Sequence, residues 1–118
     1  MSKFSDRYDP GPQIAQCGAI NLGTTDLEKS LFFFRDTLGM EEVERRGNEV
    51  YLRCYQELGH HSLVLTQQDE AMVNSYSFRV KRPQDVELFH EELKRQDIEV
   101  LELAAGSVAG RGTAIRFL

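Results

Sequence analysis

Residues 50–66, VYLRCYQELGHHSLVLT, decide the fold: two runs of strand-like alternation, Val50 to Tyr55 and His61 to Thr66, are joined by a short polar link. Just upstream, Gly47-Asn48 suits a tight hairpin turn, which pairs Met40 to Arg45 with the first run. Before that hairpin, Thr25-Asp26-Leu27-Glu28 has the spacing of a capping box, with the Thr25 hydroxyl and the Glu28 carboxylate exchanging bonds with backbone amides. Leu27, Leu31, Phe34 and Leu38 recur at helical spacing, Phe32 and Phe33 widen the stripe, and Gly39 ends the helix in a left-handed conformation. Cys17 to Leu22 alternates as a strand, with Ile20 and Leu22 toward a core and Ala19 and Asn21 pointing the other way. Residues 14–66 therefore read as β-α-β-β-β, preceded by an extended arm over residues 1–13.

Downstream, residues 67–74 read as a polar link and Ser75 to Val80 as a strand with Tyr76, Phe78 and Val80 on one side. Pro83 opens a helix whose apolar stripe is Val86, Phe89 and Leu93, and Ile98 to Leu103 is the next strand. A glycine-rich loop over 103–112 then leads to a last strand, Thr113 to Leu118. The plan of the first half repeats, and Arg53 and Arg116 fall in matching places. The predicted class is α+β: paired β-α-β-β-β modules forming an open, cleft-bearing sheet, with the second module, 75–118, lacking its last strand. An uncovered strand edge invites pairing, so a homo-oligomer is expected.

The chain has 118 residues, enough for a single domain with its own hydrophobic core. A net charge of −5 argues against a nucleic-acid partner, which requires a basic face to displace phosphate counterions. A small molecule, neutral or neutralised by a metal, or another protein fits better. Cys17 and Cys54 point to opposite faces by strand parity, so no bridge is expected and a reducing compartment fits. No apolar run approaches the length of a membrane span, and MSKFSDRYDPGPQ has no signal-peptide core, so the expected location is the cytoplasm.

Several residue groups invite chemical readings. His60 and His61 are neighbours, yet adjacent strand residues face opposite sides and no third ligand is recognisable beside them. His90, among acids on the second helix, reads as part of a solvated face. The two thiols read as buried or half-buried, since no base accompanies them. Gly106, Gly110 and Gly112 lead into a strand with no Lys-Ser/Thr pair, so a mobile loop fits better than a phosphate cradle. Strand parity gathers Tyr51, Arg53 and Tyr55 with Ala19, Asn21, Ser75, Ser77, Arg79 and Arg116 on the face away from the helices. Tyr51, Arg53, Arg79 and Arg116 are thus candidate ligand-binding residues for an anion or aromatic acid, although the arginines equally suit pairing with acids or with another domain.

The segments GAINLGTTDLEKSLFFFRDTLGM, EVYLRCYQELGHHSLVLTQQDEA, SYSFRVKRPQDVELFHEEL and GRGTAIRFL together resemble the vicinal oxygen chelate superfamily of glyoxalase I, bleomycin-resistance proteins and extradiol dioxygenases. The YLR and HHSLVLT segments look most like the amino-terminal domain of two-domain catechol 2,3-dioxygenases. The resemblance implies a metal held by two histidines and one glutamate, Fe(II) or occasionally Mn(II), in the active members. Carried over residue by residue, the histidine positions match Ala19 and Ser75, and the carboxylate position of glyoxalase-like members matches Val64. The final glutamate would lie beyond Leu118. The resemblance therefore implies no metal in this chain, and a non-catalytic amino-terminal domain of an Fe(II)-dependent extradiol dioxygenase whose carboxy-terminal domain is its partner. The alternative is a stand-alone, metal-free small-molecule-binding protein of the bleomycin-resistance type.

Overall fold

The structure, a computed structural model, describes residues 11–118; residues 1–10 of the expected arm lie outside the described residues. The elements in order are β1 (Ile14–Thr24), α1 (Leu27–Leu31) continuing as a π-helix (Phe32–Thr37), β2 (Glu41–Arg46), β3 (Glu49–Arg53), β4 (Leu63–Gln67), β5 (Met72–Val80), α2 (Asp85–Arg95), β6 (Leu101–Leu103) and β7 (Ala114–Arg116). This is β-α-β-β-β followed by β-α-β-β, the predicted α+β plan. A five-stranded sheet runs in the order β2-β3-β4-β1-β5, and β6 pairs with β7 separately. The described residues form two compact units: Gly18–Ser77, and 11–17 together with Phe78–Leu118.

In the first unit β1 runs parallel to β4, while β4–β3 and β3–β2 are antiparallel. The register lines up Ile20, Leu63 and Leu52 in one row and Leu22, Leu65 and Val50 in another. Leu31 lies against Val50, Leu52, Leu63 and Leu65, all buried, with Leu22, Leu27, Phe34 and Met40 around them. Each such side chain contributes roughly 1.5–3 kcal/mol when fully buried.

Local rules and tertiary packing part company at α1. The cap is Asp26, whose Oδ1 accepts from the Lys29 amide at 3.1 Å, and no Thr25–Glu28 box forms. Gln67 of β4 takes over the remaining bonds: its Oε1 accepts from the Leu27 amide and its Nε2 donates to Thr25 O, both at 2.8 Å. The expected stripe is also cut short. Past Phe32 the helix widens, with the Leu38 amide reaching back five residues to Phe33 O, and this leaves Phe32, Phe33 and Leu38 exposed while Met40 packs on the core. Gly39 does end the helix with φ of 82°.

The polar link is shorter than 67–74, because Gln67 completes β4 and Met72 to Asn74 open β5. Tyr76 and Phe78 stay more than half exposed on β5, the edge strand, and Ile20 is 46% exposed rather than buried in the core. Cys54 also departs from expectation. β3 ends at Arg53, so Cys54 enters a turn and is exposed, as is Cys17; both are free thiols.

In the second unit α2 starts at Asp85, beyond the expected Pro83. The buried Asp85 carboxylate accepts from Arg82 Nε at 3.0 Å, Arg82 Nη2 at 2.8 Å, the Arg82 amide at 3.2 Å and the Gln13 amide at 3.4 Å. Its pKa is held below the ordinary value, chiefly by the Arg82 side chain. His90, expected on a solvated face, is only 5% exposed. The far end of α2 closes with the Ile98 amide on Leu93 O and the Asp97 amide on Lys94 O, both at 3.0 Å, a Schellman pattern with Asp97 where glycine is usual. The following strand is confined to Leu101–Leu103, paired antiparallel with β7. The glycine-rich loop is tied down rather than loose: the Gly106 amide donates to Arg111 O at 2.8 Å and Ala109 is fully buried. That amide is spent inside the loop, which removes a donor from any phosphate cradle. Among the described residues, no helix is long and apolar enough to cross a membrane.

Two measurements check this account. Asp97 sits at φ of 58°, a region that costs an L-residue free energy, so Asp97→Gly stabilises the chain by about 0.5–1 kcal/mol in urea unfolding. Asp85 has its pKa lowered on folding, so its stabilising contribution is present above the unfolded aspartate pKa of about 3.9 and is lost as pH falls through the folded value. Asp85→Asn is accordingly less stable than the parent chain near neutrality, and the difference in melting temperature shrinks on acidification below about pH 4.

Candidate functional site

On the sheet face opposite Leu31, the register sets Asn21 of β1, Val64 of β4 and Tyr51 of β3 side by side. Tyr51 and Val64 are buried, at 1% and 4% exposure. What covers Tyr51 is the connection between β3 and β4, which turns through Gln56 at φ of 67° and brings both histidines over the phenol. The His61 ring lies edge-on to Tyr51 at 4.9 Å between centroids and the His60 ring at 6.0 Å. The Tyr51 hydroxyl donates to Glu49 Oε1 at 3.0 Å.

A β-bulge completes this cluster. Between Glu42 and Glu44 the β2 register slips, so that Glu42 pairs with Leu52 and Glu44 with Tyr51. Simple alternation would put both acids on one side; the extra residue sends them to opposite faces. Glu42 accepts from Arg35 Nη1 on the helix side at 2.7 Å, while Glu44 meets His60 Nε2 at 3.0 Å. Arg46 and, secondarily, His60 hold the Glu44 carboxyl below its ordinary pKa, so it is ionised near neutrality and acts as an acceptor. His60 Nε2 donates to this carboxylate, and His60 Nδ1 shares a hydrogen bond with His61 Nδ1, 2.8 Å away. The two histidines do converge, contrary to their expected separation, because both precede β4, which starts only at Leu63. The contact is a hydrogen bond within a packed cluster.

The positions that the family resemblance assigned to metal ligands are filled in other ways. The Ala19 amide donates to Ser77 Oγ at 2.9 Å, and the same hydroxyl donates to Ala19 O at 3.3 Å. A Cβ on the neighbouring Gly18 would lie 2.5 Å from Ser77 Oγ and 3.0 Å from Ser77 O, so this clasp of β1 on β5 requires glycine. Beyond it, Asn21 Oδ1 accepts from Thr66 Oγ1 at 2.8 Å and Asn74 Nδ2 at 3.0 Å, and Asn74 is bonded to Gln68. Ala19 and Val64 offer no donor atom, and Ser75 alone is a poor ligand for a divalent ion. These residues do not fit the Fe(II) or Mn(II) centre of the active relatives. Asn74, Thr66 and Gln68 carried no motif in the sequence; only the register brings them to Asn21.

The candidate ligand-binding residues are dispersed. Arg53 Nε donates to Glu41 Oε2 at 3.0 Å, directly across the β2–β3 pair. Tyr51, expected to line an open cleft, is instead enclosed by the two imidazoles. Arg79 and Arg116 are exposed on β5 and β7, and neither guanidinium has a hydrogen bond or ion pair among the described residues. Arg116 faces Leu101 at the register position where Arg53 faces Glu41. Tyr51 and Arg53 belong to the first unit, Arg79 and Arg116 to the second.

The fold is shared with ring-cleaving enzymes. The chain is 47% identical over 105 residues to a manganese-dependent 2,3-dihydroxybiphenyl 1,2-dioxygenase of Geobacillus genomosp. 3, covering 89% of this chain and 33% of that protein. It is 36% identical over 90 residues to a metapyrocatechase of Geobacillus stearothermophilus, covering 76% of this chain and 28% of the relative. It superposes on the homoprotocatechuate 2,3-dioxygenase of Brevibacterium fuscum with a TM-score of 0.85 and 34% identity, covering 91% of this chain and 34% of that one. The chain thus spans about a third of the length of the relatives it matches. Residues 14–114 match the family described as the Glyoxalase/Bleomycin resistance protein/Dioxygenase superfamily, and the chain belongs to that superfamily.

Proposed function

We propose that this chain is the amino-terminal, non-catalytic domain of an extradiol dioxygenase that opens aromatic diol rings, with the Fe(II) or Mn(II) held by a second, carboxy-terminal domain. The observation that carries this reading is the donor-free pair Ala19 and Val64, at positions where active members of the superfamily place ligands. The metal would supply a site where diol and dioxygen meet, and the residues of this chain take no part in that step. Their role is architectural. Exposed Phe32, Phe33 and Leu38 supply apolar surface of the kind another domain or a second copy covers, which supports a catalytic-domain partner and a homo-oligomer. Free thiols at Cys17 and Cys54 suit a reducing cytoplasm. A second reading, a metal-free small-molecule binder, draws only on exposed Arg79 and Arg116, which would take an anionic or aromatic acid.

Two tests follow. Turnover of catechol, 2,3-dihydroxybiphenyl and homoprotocatechuate is measured with Fe(II) or Mn(II) for this chain alone and for the full-length parent. The parent is expected to cleave one of them and the chain alone none. Cleavage by the chain alone overturns the non-catalytic role, and an inactive parent overturns the dioxygenase reading. If Tyr51 is structural, Tyr51→Phe costs about 0.5–1.5 kcal/mol for the lost bond to Glu49, whereas Tyr51→Ala costs about 3–5 kcal/mol, both read from urea unfolding.

A further inference from the structure

We infer that Glu87, His90 and Glu102 form a divalent transition-metal site in the second unit, separate from the ligand positions of the superfamily. Glu87 and His90 stand three residues apart on one face of α2, and Glu102 is the middle residue of β6. One ligand atom from each lies within 4.8 Å of the other two. His90 Nδ1 is 3.2 Å from Glu102 Oε1 and 3.9 Å from Glu87 Oε2.

Ligands about 2.1 Å from a shared tetrahedral or octahedral ion are themselves about 2.9–3.4 Å apart. The His90–Glu102 separation already satisfies that spacing. The Glu87 carboxylate, 3.9 Å from His90 Nδ1 and within 4.8 Å of the Glu102 ligand atom, is on an exposed side chain that is free to close the remaining gap.

The second observation is His90 itself. Its side chain is 6% exposed, and neither ring nitrogen has a hydrogen-bond partner among the described residues, even though Nδ1 faces two carboxylates. The 3.2 Å approach to Glu102 is misaligned for a hydrogen bond. A buried polar atom left in this way costs free energy, and a cation accepting the Nδ1 lone pair removes that cost. The same cation neutralises two carboxylates that otherwise repel across the gap.

One imidazole and two carboxylates select a borderline transition ion such as Zn²⁺ over Ca²⁺, which prefers an all-oxygen shell. The exposed carboxylates leave the remaining positions to water. Because His90 Nε2 has no partner to brace the ring, affinity on the order of micromolar is expected rather than that of a dedicated structural zinc site. Bound metal would join α2 to β6 and raise the melting temperature of the chain, because it binds the folded state alone.

Titration calorimetry of the chain with Zn²⁺, Mn²⁺ and Ca²⁺ near neutral pH tests the site. One Zn²⁺ per chain is expected, with weaker Mn²⁺ binding, no saturable Ca²⁺ binding, and a shift of the His90 Nδ1 resonance on adding Zn²⁺. The exposed double variant E87Q/E102Q keeps its fold and weakens Zn²⁺ binding by at least about tenfold. Replacing His60 and His61 together by glutamine leaves the affinity unchanged. The proposal is overturned if Zn²⁺ does not bind saturably, if E87Q/E102Q binds it as tightly as the parent chain, or if the His90 resonance stays fixed.

Discussion

The contact on which the larger unit depends is Leu31 seated on Val50, Leu52, Leu63 and Leu65. Because a strand side chain alternates faces with a period of two, committing these four residues to the helix commits their neighbours to the other side. Tyr51 and Val64 have no freedom in the matter. A one-residue slip in β3 would turn Val50 and Leu52 away from Leu31, and a slip in β4 would do the same to Leu63 and Leu65, so burial of these aliphatic side chains holds the register.

Polar residues on the opposite face are satisfied by one another. Ser77 clasps both backbone polar atoms of Ala19, Asn21 gathers Thr66 and Asn74, and Glu44, His60 and His61 form a hydrogen-bonded run above Tyr51. In a low-dielectric setting such networks add rigidity only when their members are paired, and here most of the face is spent on pairing. This chain shares its scaffold with extradiol dioxygenases, and a scaffold by itself leaves open what is held at a few positions. Asp85 applies the same economy in the smaller unit, joining the start of α2 to Arg82 and Gln13.

Much of this was legible from local pattern. The element order, the hairpin at Gly47, the helix end at Gly39 and the inward face of β3 all follow from spacing and from backbone preferences of single residues. The readings that failed depended on partners distant in sequence or on a helix that changes its winding. Thr25–Glu28 has the spacing of a capping box, but Gln67, some forty residues on, occupies the Leu27 amide. Leu38 keeps helical spacing with Leu31, but the wider π turn carries it out to solvent. His90 lies among acids on its helix, yet β6 lies close enough to bring Glu102 to its ring.

By itself the sequence determined which segments become strands and helices, which face of β3 turns to the helix, and that Ala19 and Val64 carry no donor atom. These depend on side-chain chemistry and on periods of two and about 3.6 residues, which are properties of the chain alone. Only the tertiary structure decided that Glu42 and Glu44 part to opposite faces, that His60 and His61 converge on Tyr51, and that Glu87, His90 and Glu102 meet. Each of these turns on a bulge, a loop path or an approach of distant elements. Such features are set by the balance of packing over the whole unit, and no local spacing encodes them.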